Sequence, residues 1–197
     1  MHTVMGYASS HYPETPADAE IIKQYLENFG PELLDHPEAK TLPGESSREA
    51  VARLTRMLMS MRSGMDMSSI PATYALDTIQ YFVFPNFFPW PSLGAPIVYR
   101  FRPGSTPDEC VYETALFLPF AGQRPPSGPT IHLGFDDSLG EVPELGGLGP
   151  VLQQDIENLD AMQNGLRASI AQKLTLTEYQ EVRIRHYHKT LDSYLND

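Results

Sequence analysis

Apolar positions recur at helical spacing near the start of the chain, with Ile21, Ile22, Tyr25, Leu26 and Phe29 on one side. The preceding Thr15-Pro16-Ala17-Asp18 offers an N-cap, a proline at the first helical position and an acid in the first turn. This predicts a short amphipathic helix, ended by Gly30-Pro31, and then a polar, proline-bearing loop to Gly44. Ser46-Ser47-Arg48-Glu49 reads as a capping box. Val51, Leu54, Leu58, Met61 and Met65 then mark one face of a second helix ending near Gly64, with Arg48, Arg53, Arg56 and Arg62 off that face.

From about residue 76 the period changes to two. Ile97, Tyr99 and Phe101 alternate with Val98, Arg100 and Arg102, and Cys110, Tyr112, Thr114 and Leu116 alternate with Val111, Glu113, Ala115 and Phe117. Both stretches read as half-buried strands, and residues 76–84 (LDTIQYFVF) as a third. The linkers 85–94 and 103–108 are too short for helical crossovers, which predicts an antiparallel meander. Residues 119–147 carry Pro and Gly clusters and read as surface loop or pocket cover. A helix follows from Gly149-Pro150 to about Ala168, and Thr177-Glu178-Tyr179-Gln180 reads as a capping box opening a terminal helix.

The 197 residues and their charge narrow the function classes. One domain with one core is expected at this length. A net charge of −11 repels phosphate backbones and anionic lipid, so neither nucleic acid nor a membrane surface is an expected partner. No apolar run reaches the ~18 residues of a spanning helix and residues 1–15 hold no secretory h-region, which predicts a cytoplasmic protein. The single cysteine, Cys110, excludes an internal disulfide and an iron–sulfur cluster held by this chain's thiolates. Mid-strand among apolar residues, it reads as a buried structural thiol.

No HExxH, P-loop, GxGxxG or GxSxG motif is present. The informative segment is the helix LGPVLQQDIENLDAMQNGL. At about 100° per residue, Leu148, Leu152, Leu159, Met162 and Leu166 form a stripe roughly 80° wide with Asp155 near its centre. A carboxylate on an apolar face needs a cation, a metal or hydrogen-bond donors. Two readings stay open: a buried acid paired with an arginine or capping a loop, or a functional acid flanked by Asn158 and Gln163. The aromatic run Tyr81 to Trp90 is either core strand and turn or the wall of a pocket for a flat apolar ligand.

Several of these pieces together resemble the catalytic domain of Rieske non-haem iron oxygenases, the alpha subunits of aromatic-ring-hydroxylating dioxygenases. They are the strand ending Val83-Phe84-Pro85-Asn86, the hairpin Tyr99-Arg100-Phe101-Arg102-Pro103 into residues 109–118, the helix Asp155-Ile156-Glu157-Asn158-Leu159-Asp160 with Gln163-Asn164-Gly165-Leu166, and Arg185-His186-Tyr187-His188 near the end. The likeness covers about residues 74–195. It implies an α+β fold of helix-grip type, a curved antiparallel sheet packed on a long C-terminal helix, and mononuclear Fe(II) held by two histidines and one aspartate. Asp155 is then the metal ligand, Asn158 and Gln163 its outer support, and Asn86, Val151 and Leu152 substrate-pocket residues.

The family's H-x-x-x-x-H ligand pair and its C-x-H and C-x-x-H cluster motifs do not occur in the sequence. Residues 1–197 therefore read as the C-terminal portion of the catalytic domain, an incomplete domain inactive as this chain alone. In the intact protein, electrons from NAD(P)H pass through a reductase or ferredoxin and the Rieske [2Fe-2S] cluster to iron, O2 and an aromatic or other apolar substrate are the reactants, and a homotrimer is implied. The rival expectation is a non-enzymatic helix-grip module that binds an apolar ligand without metal, with Asp155 paired to Arg100 or Arg102.

Overall fold

Helix α1 (Asp18–Phe29) and helix α2 (Ser47–Ser63) zip together through Ile21, Ile22, Tyr25 and Leu26 on one side and Ala50, Val51, Leu54 and Leu58 on the other. This computed structural model of the chain describes residues 16–196, so the Thr15 cap lies outside the described residues. The capping box of α2 forms as expected, with Glu49 N–H donating to Ser46 Oγ (3.3 Å) and Ser46 N–H to Glu49 Oε2 (2.9 Å). Gly64 ends the helix at φ +70°, a left-handed conformation that costs glycine nothing. Inside, Thr55 Oγ1 donates to the Val51 carbonyl (2.8 Å), which leaves Tyr25 O–H to donate to Thr55 (2.7 Å).

The apolar face of α2 is shorter than its sequence pattern. Leu58 already reaches Gly30, where α1 stops, and beyond it Met61 and Met65 are exposed. The arginines off that face tie loops down: Arg53 binds Glu45 (2.9 Å) and the carbonyls of Glu38 and Lys40, Arg62 binds Glu32 (2.8 Å), and Arg48 binds Asp77 (2.7 Å).

The expected strand over 76–84 is not one. Its first residue ends a short helix, α3 (Ala72–Leu76), which the sequence reading missed, and Ala75 is buried. Strand β1 (Phe87–Pro91) lies instead where a loop was expected. The upstream segment touches β1 through Tyr81 N–H to Pro89 O (3.0 Å) and a reciprocal Val83–Phe87 pair (2.8 and 3.1 Å). Pro89 has no N–H to return the Tyr81 bond, so the ladder breaks before it becomes a strand.

β1, β2 (Pro96–Pro103) and β3 (Cys110–Leu116) form an open antiparallel sheet in that order, the meander that the short linkers require. Phe88 opposes Tyr99 and Tyr99 opposes Thr114, so Trp90, Phe88, Ile97, Tyr99, Phe101, Tyr112 and Leu116 share one face. Helix α4 (Leu148–Ala168) lies on that face, giving the α+β, helix-grip-type partial domain. Two 3₁₀ turns in the Pro/Gly-rich segment, Leu139–Glu141 and Pro143–Leu145, complete the second core, where Leu139, Leu145 and Leu152 bury against Ile97. Gly149 permits this approach, since a Cβ there would meet the Leu139 carbonyl at 2.5 Å.

Two further expectations change. Cys110 is exposed, because it opens β3 opposite Pro103, at the end of the sheet away from Ile97 and the helix core. The terminal helix α5 (Val182–Asn196) starts later than the Thr177–Gln180 box. Glu181, one residue past that box, takes the Thr177 N–H, and Arg185 holds the carbonyls of Thr177 and Glu178.

Leu54 is wholly buried and Met61 is 58% exposed on the same helix. Leu54→Ala is therefore expected to destabilise by about 2–5 kcal/mol, and Met61→Ala by less than about 0.5 kcal/mol, both read from urea unfolding.

Candidate functional site on the aromatic face of the sheet

Strand alternation assembles the site's wall. Phe88 stacks on Tyr99 (centroids 5.2 Å), Phe101 tilts against Tyr112 (5.2 Å), and Tyr99 touches both Tyr112 (5.9 Å) and Trp90 (6.3 Å). Helix α4 covers the Ile97–Leu116 end of this wall with Leu152 and Ile156. The Trp90 indole N–H is buried with no partner in hydrogen-bond geometry, yet it lies near enough to the Tyr99 phenol to act against the upward push of burial on that group.

Asp155 is on α4 as expected, but it is not buried. Leu152 is buried, Ile156 half-buried, and the stripe beyond them surfaces, with Leu159 and Met162 exposed. The second core takes in Leu148, Leu152 and Ile156 of α4 and no later residue of the helix, whose far half reaches the sheet at the β2–β3 turn through polar contacts to Asp108. Asp155 is exposed, near enough to Tyr99 and Tyr112 for its charge to act on both phenols. Burial is the main cause that pushes both phenols up, Tyr112 to about 12, and the negative charge of Asp155 adds to it. Ionising either tyrosine beside this carboxylate is thus opposed twice, which keeps both hydroxyls as neutral hydrogen-bonding groups.

The expected pairing of Asp155 with Arg100 or Arg102 does not occur. Period two places both arginines on the opposite face of β2, where Glu113 of β3 takes them both. These two hydrogen bonds, Arg102 first, hold the Glu113 carboxyl down at about 2.

The remaining sequence-derived positions divide. Leu152 packs in the core and Val151 is half-buried one residue before it. Asn86 donates to the Phe101 carbonyl (2.6 Å), pinning the start of β1 to β2. Asn158 donates to the Gln154 carbonyl of its own helix (3.1 Å) rather than to Asp155. Gln163 reaches the Asp108 carbonyl (3.1 Å), and Arg167 pairs with Asp108 (2.6 Å), so the far half of α4 is tethered to the β2–β3 turn. Among the described residues no three His, Cys, Asp or Glu side chains stand together as a metal-binding group.

A cleft of about 750 Å³ opens beside this wall, between α5 and residues 78–84. Phe82, Phe84 and Trp90 line it, as the pocket reading of the aromatic run anticipated, whereas Asp155 does not. Gln80, also in its lining, donates to the Tyr99 hydroxyl and so connects the cleft to the tyrosine beside Asp155. The sequence reading did not single out Tyr99 and Tyr112 as functional, although their inward register on β2 and β3 was already visible in the alternation.

The sequence model of one protein family, described as the ring hydroxylating alpha subunit (catalytic domain), matches residues 32–197. Comparison with curated proteins and with solved structures finds no match. No helix among the described residues is long and apolar enough to cross a membrane.

Because Glu113 is held down at about 2 against an ordinary 4.5, its contribution to stability is complete above pH 4.5 and is lost as pH falls toward 2. Glu113→Gln is therefore expected to lower the melting temperature at neutral pH. Its difference from the parent should shrink steadily between pH 4.5 and 2 in thermal melts.

Proposed function

The chain belongs to the ring hydroxylating alpha subunit (catalytic domain) family, and on that premise we propose that it is the carboxylate-bearing part of the mononuclear-iron catalytic domain of an aromatic-ring-hydroxylating oxygenase. Such a domain inserts O2-derived oxygen into an aromatic or similarly apolar substrate. The observation that carries this reading is the seating of α4 across the aromatic sheet face, with Asp155 beside Tyr99 and Tyr112.

The described residues do not form an iron centre by themselves. A two-histidine, one-carboxylate site needs two donors that no described neighbour of Asp155 supplies. In this proposal Asp155 is the carboxylate ligand and the histidine pair comes from a segment that these 197 residues do not contain, since no H-x-x-x-x-H pair occurs in them, so the chain alone is inactive. The same reading assigns electron delivery to a Rieske [2Fe-2S] domain fed from NAD(P)H by a reductase, and assembly to a homotrimer.

What this chain contributes is positioning. The aromatic face excludes water and offers flat surfaces to a flat substrate, each ring contact worth about 0.5–1.5 kcal/mol beyond burial. In this proposal Val151 and Leu152 of α4 and Asn86, just before β1, shape a substrate pocket over the aromatic face, apart from the cleft beside α5, which none of them lines. Asn158 and Gln163 act on Asp155 through the helix: one bonds its backbone, and the other anchors it to the β2–β3 turn.

The test is iron retention when the chain is produced together with the histidine-bearing segment of the same oxygenase. The parent is expected to hold iron at the mononuclear site and turn over an aromatic substrate. Asp155→Ala should lose both, read by metal analysis and product formation; full iron content and unchanged turnover in that variant would overturn the assignment.

A further inference from the structure

The cleft between α5 and residues 78–84 has its own chemistry. Its volume, about 750 Å³, lies in the range of small-ligand sites. One wall is aromatic: Phe82 meets Tyr187 edge to face (5.4 Å), Phe84 tilts against Tyr187 (6.2 Å), and Trp90 adds a third surface. Arg183 and His186, three residues apart and so on one side of α5, supply the other wall. The lining contains no aspartate or glutamate, a local reversal of sign in a chain whose net charge is −11.

The cation of the lining, Arg183, is also uncommitted. Among the described residues Arg183 has no ion-pair or hydrogen-bond partner, whereas Arg185, two positions on, spends its guanidinium on two carbonyls. Three of the neutral polar groups of the lining are engaged already: Thr78 with Ser92, Gln80 with Tyr99, and Thr190 with the His186 carbonyl. What stands ready is an aromatic surface facing a positive rim. A neutral arene would leave the guanidinium unused, and an aromatic cation would be repelled by it.

We propose that this cleft binds a small aromatic carboxylate, its ring against Phe82, Phe84 and Trp90 and its carboxylate on Arg183 and His186. A guanidinium meets a carboxylate through two parallel charge-assisted hydrogen bonds, which fixes orientation as well as affinity. The site is separate from Asp155, which does not line the cleft, and binding there requires no metal. Its success or failure therefore leaves the oxygenase reading to be judged on its own test.

Trp90 is the only tryptophan in the chain, so its emission reports the cleft directly. The metal-free full chain is titrated with benzoate, with benzamide as the neutral counterpart and with acetate as the carboxylate lacking a ring. Benzoate is expected to quench Trp90 saturably, benzamide to bind about tenfold more weakly for want of the charge-assisted bonds, and acetate to leave the emission unchanged at the same concentrations. Arg183→Gln, an exposed position, should weaken benzoate about tenfold and leave benzamide where it was; His186→Gln should act in the same direction. Absence of saturable benzoate quenching, equal affinity for benzoate and benzamide, or indifference of benzoate to Arg183→Gln would overturn the proposal.

Discussion

Alternation along β2 and β3 places Ile97 and Leu116 side by side, and Leu152 of α4 closes over them. The rest of the site depends on that contact. It fixes the height and rotation of the helix over the sheet, and so decides that Asp155, three residues beyond Leu152, emerges at the tyrosines. The two 3₁₀ turns serve the same packing, since Leu139 and Leu145 fill the space that one short helix face and three strands leave open. Gln153 fastens the arrangement by accepting the Leu139 N–H (2.9 Å).

A charge argument separates the two faces of the sheet. The outer face carries Arg100, Arg102 and Glu113, whose mutual hydrogen bonds satisfy all three groups. The inner face carries rings and a single neighbouring carboxylate. Period two thus turns both arginines to the face opposite the one that α4 covers, which keeps Asp155 free of Arg100 and Arg102. On the proposed reading, this acid is the donor that the chain brings to the iron site.

Much of this was legible in the residues. The capping box of α2, the strands β2 and β3 with their inward and outward positions, and the span of α4 follow from local pattern, because each is decided by neighbours a few residues away. The misreadings have a shared cause. Residues 76–84 alternate like a strand, but whether they pair depends on Pro89 in the partner, which supplies no N–H. Burial of Asp155 and Cys110 was expected from sequence stripes, yet it depends on how far the second core extends. The cleft brings residues 78–84 to α5, about a hundred positions apart, a juxtaposition that no local pattern encodes.

The central claim is that Asp155 is one donor of an iron site whose other protein donors lie on another segment. An anaerobic titration of the purified chain with Fe(II), followed by calorimetry, tests it most directly. The account predicts no saturation at one equivalent in the micromolar range, with the same trace for the parent and for Asp155→Ala. A tight one-to-one complex formed by this chain alone and lost in Asp155→Ala would contradict it, because the chain would then hold a full donor set of its own.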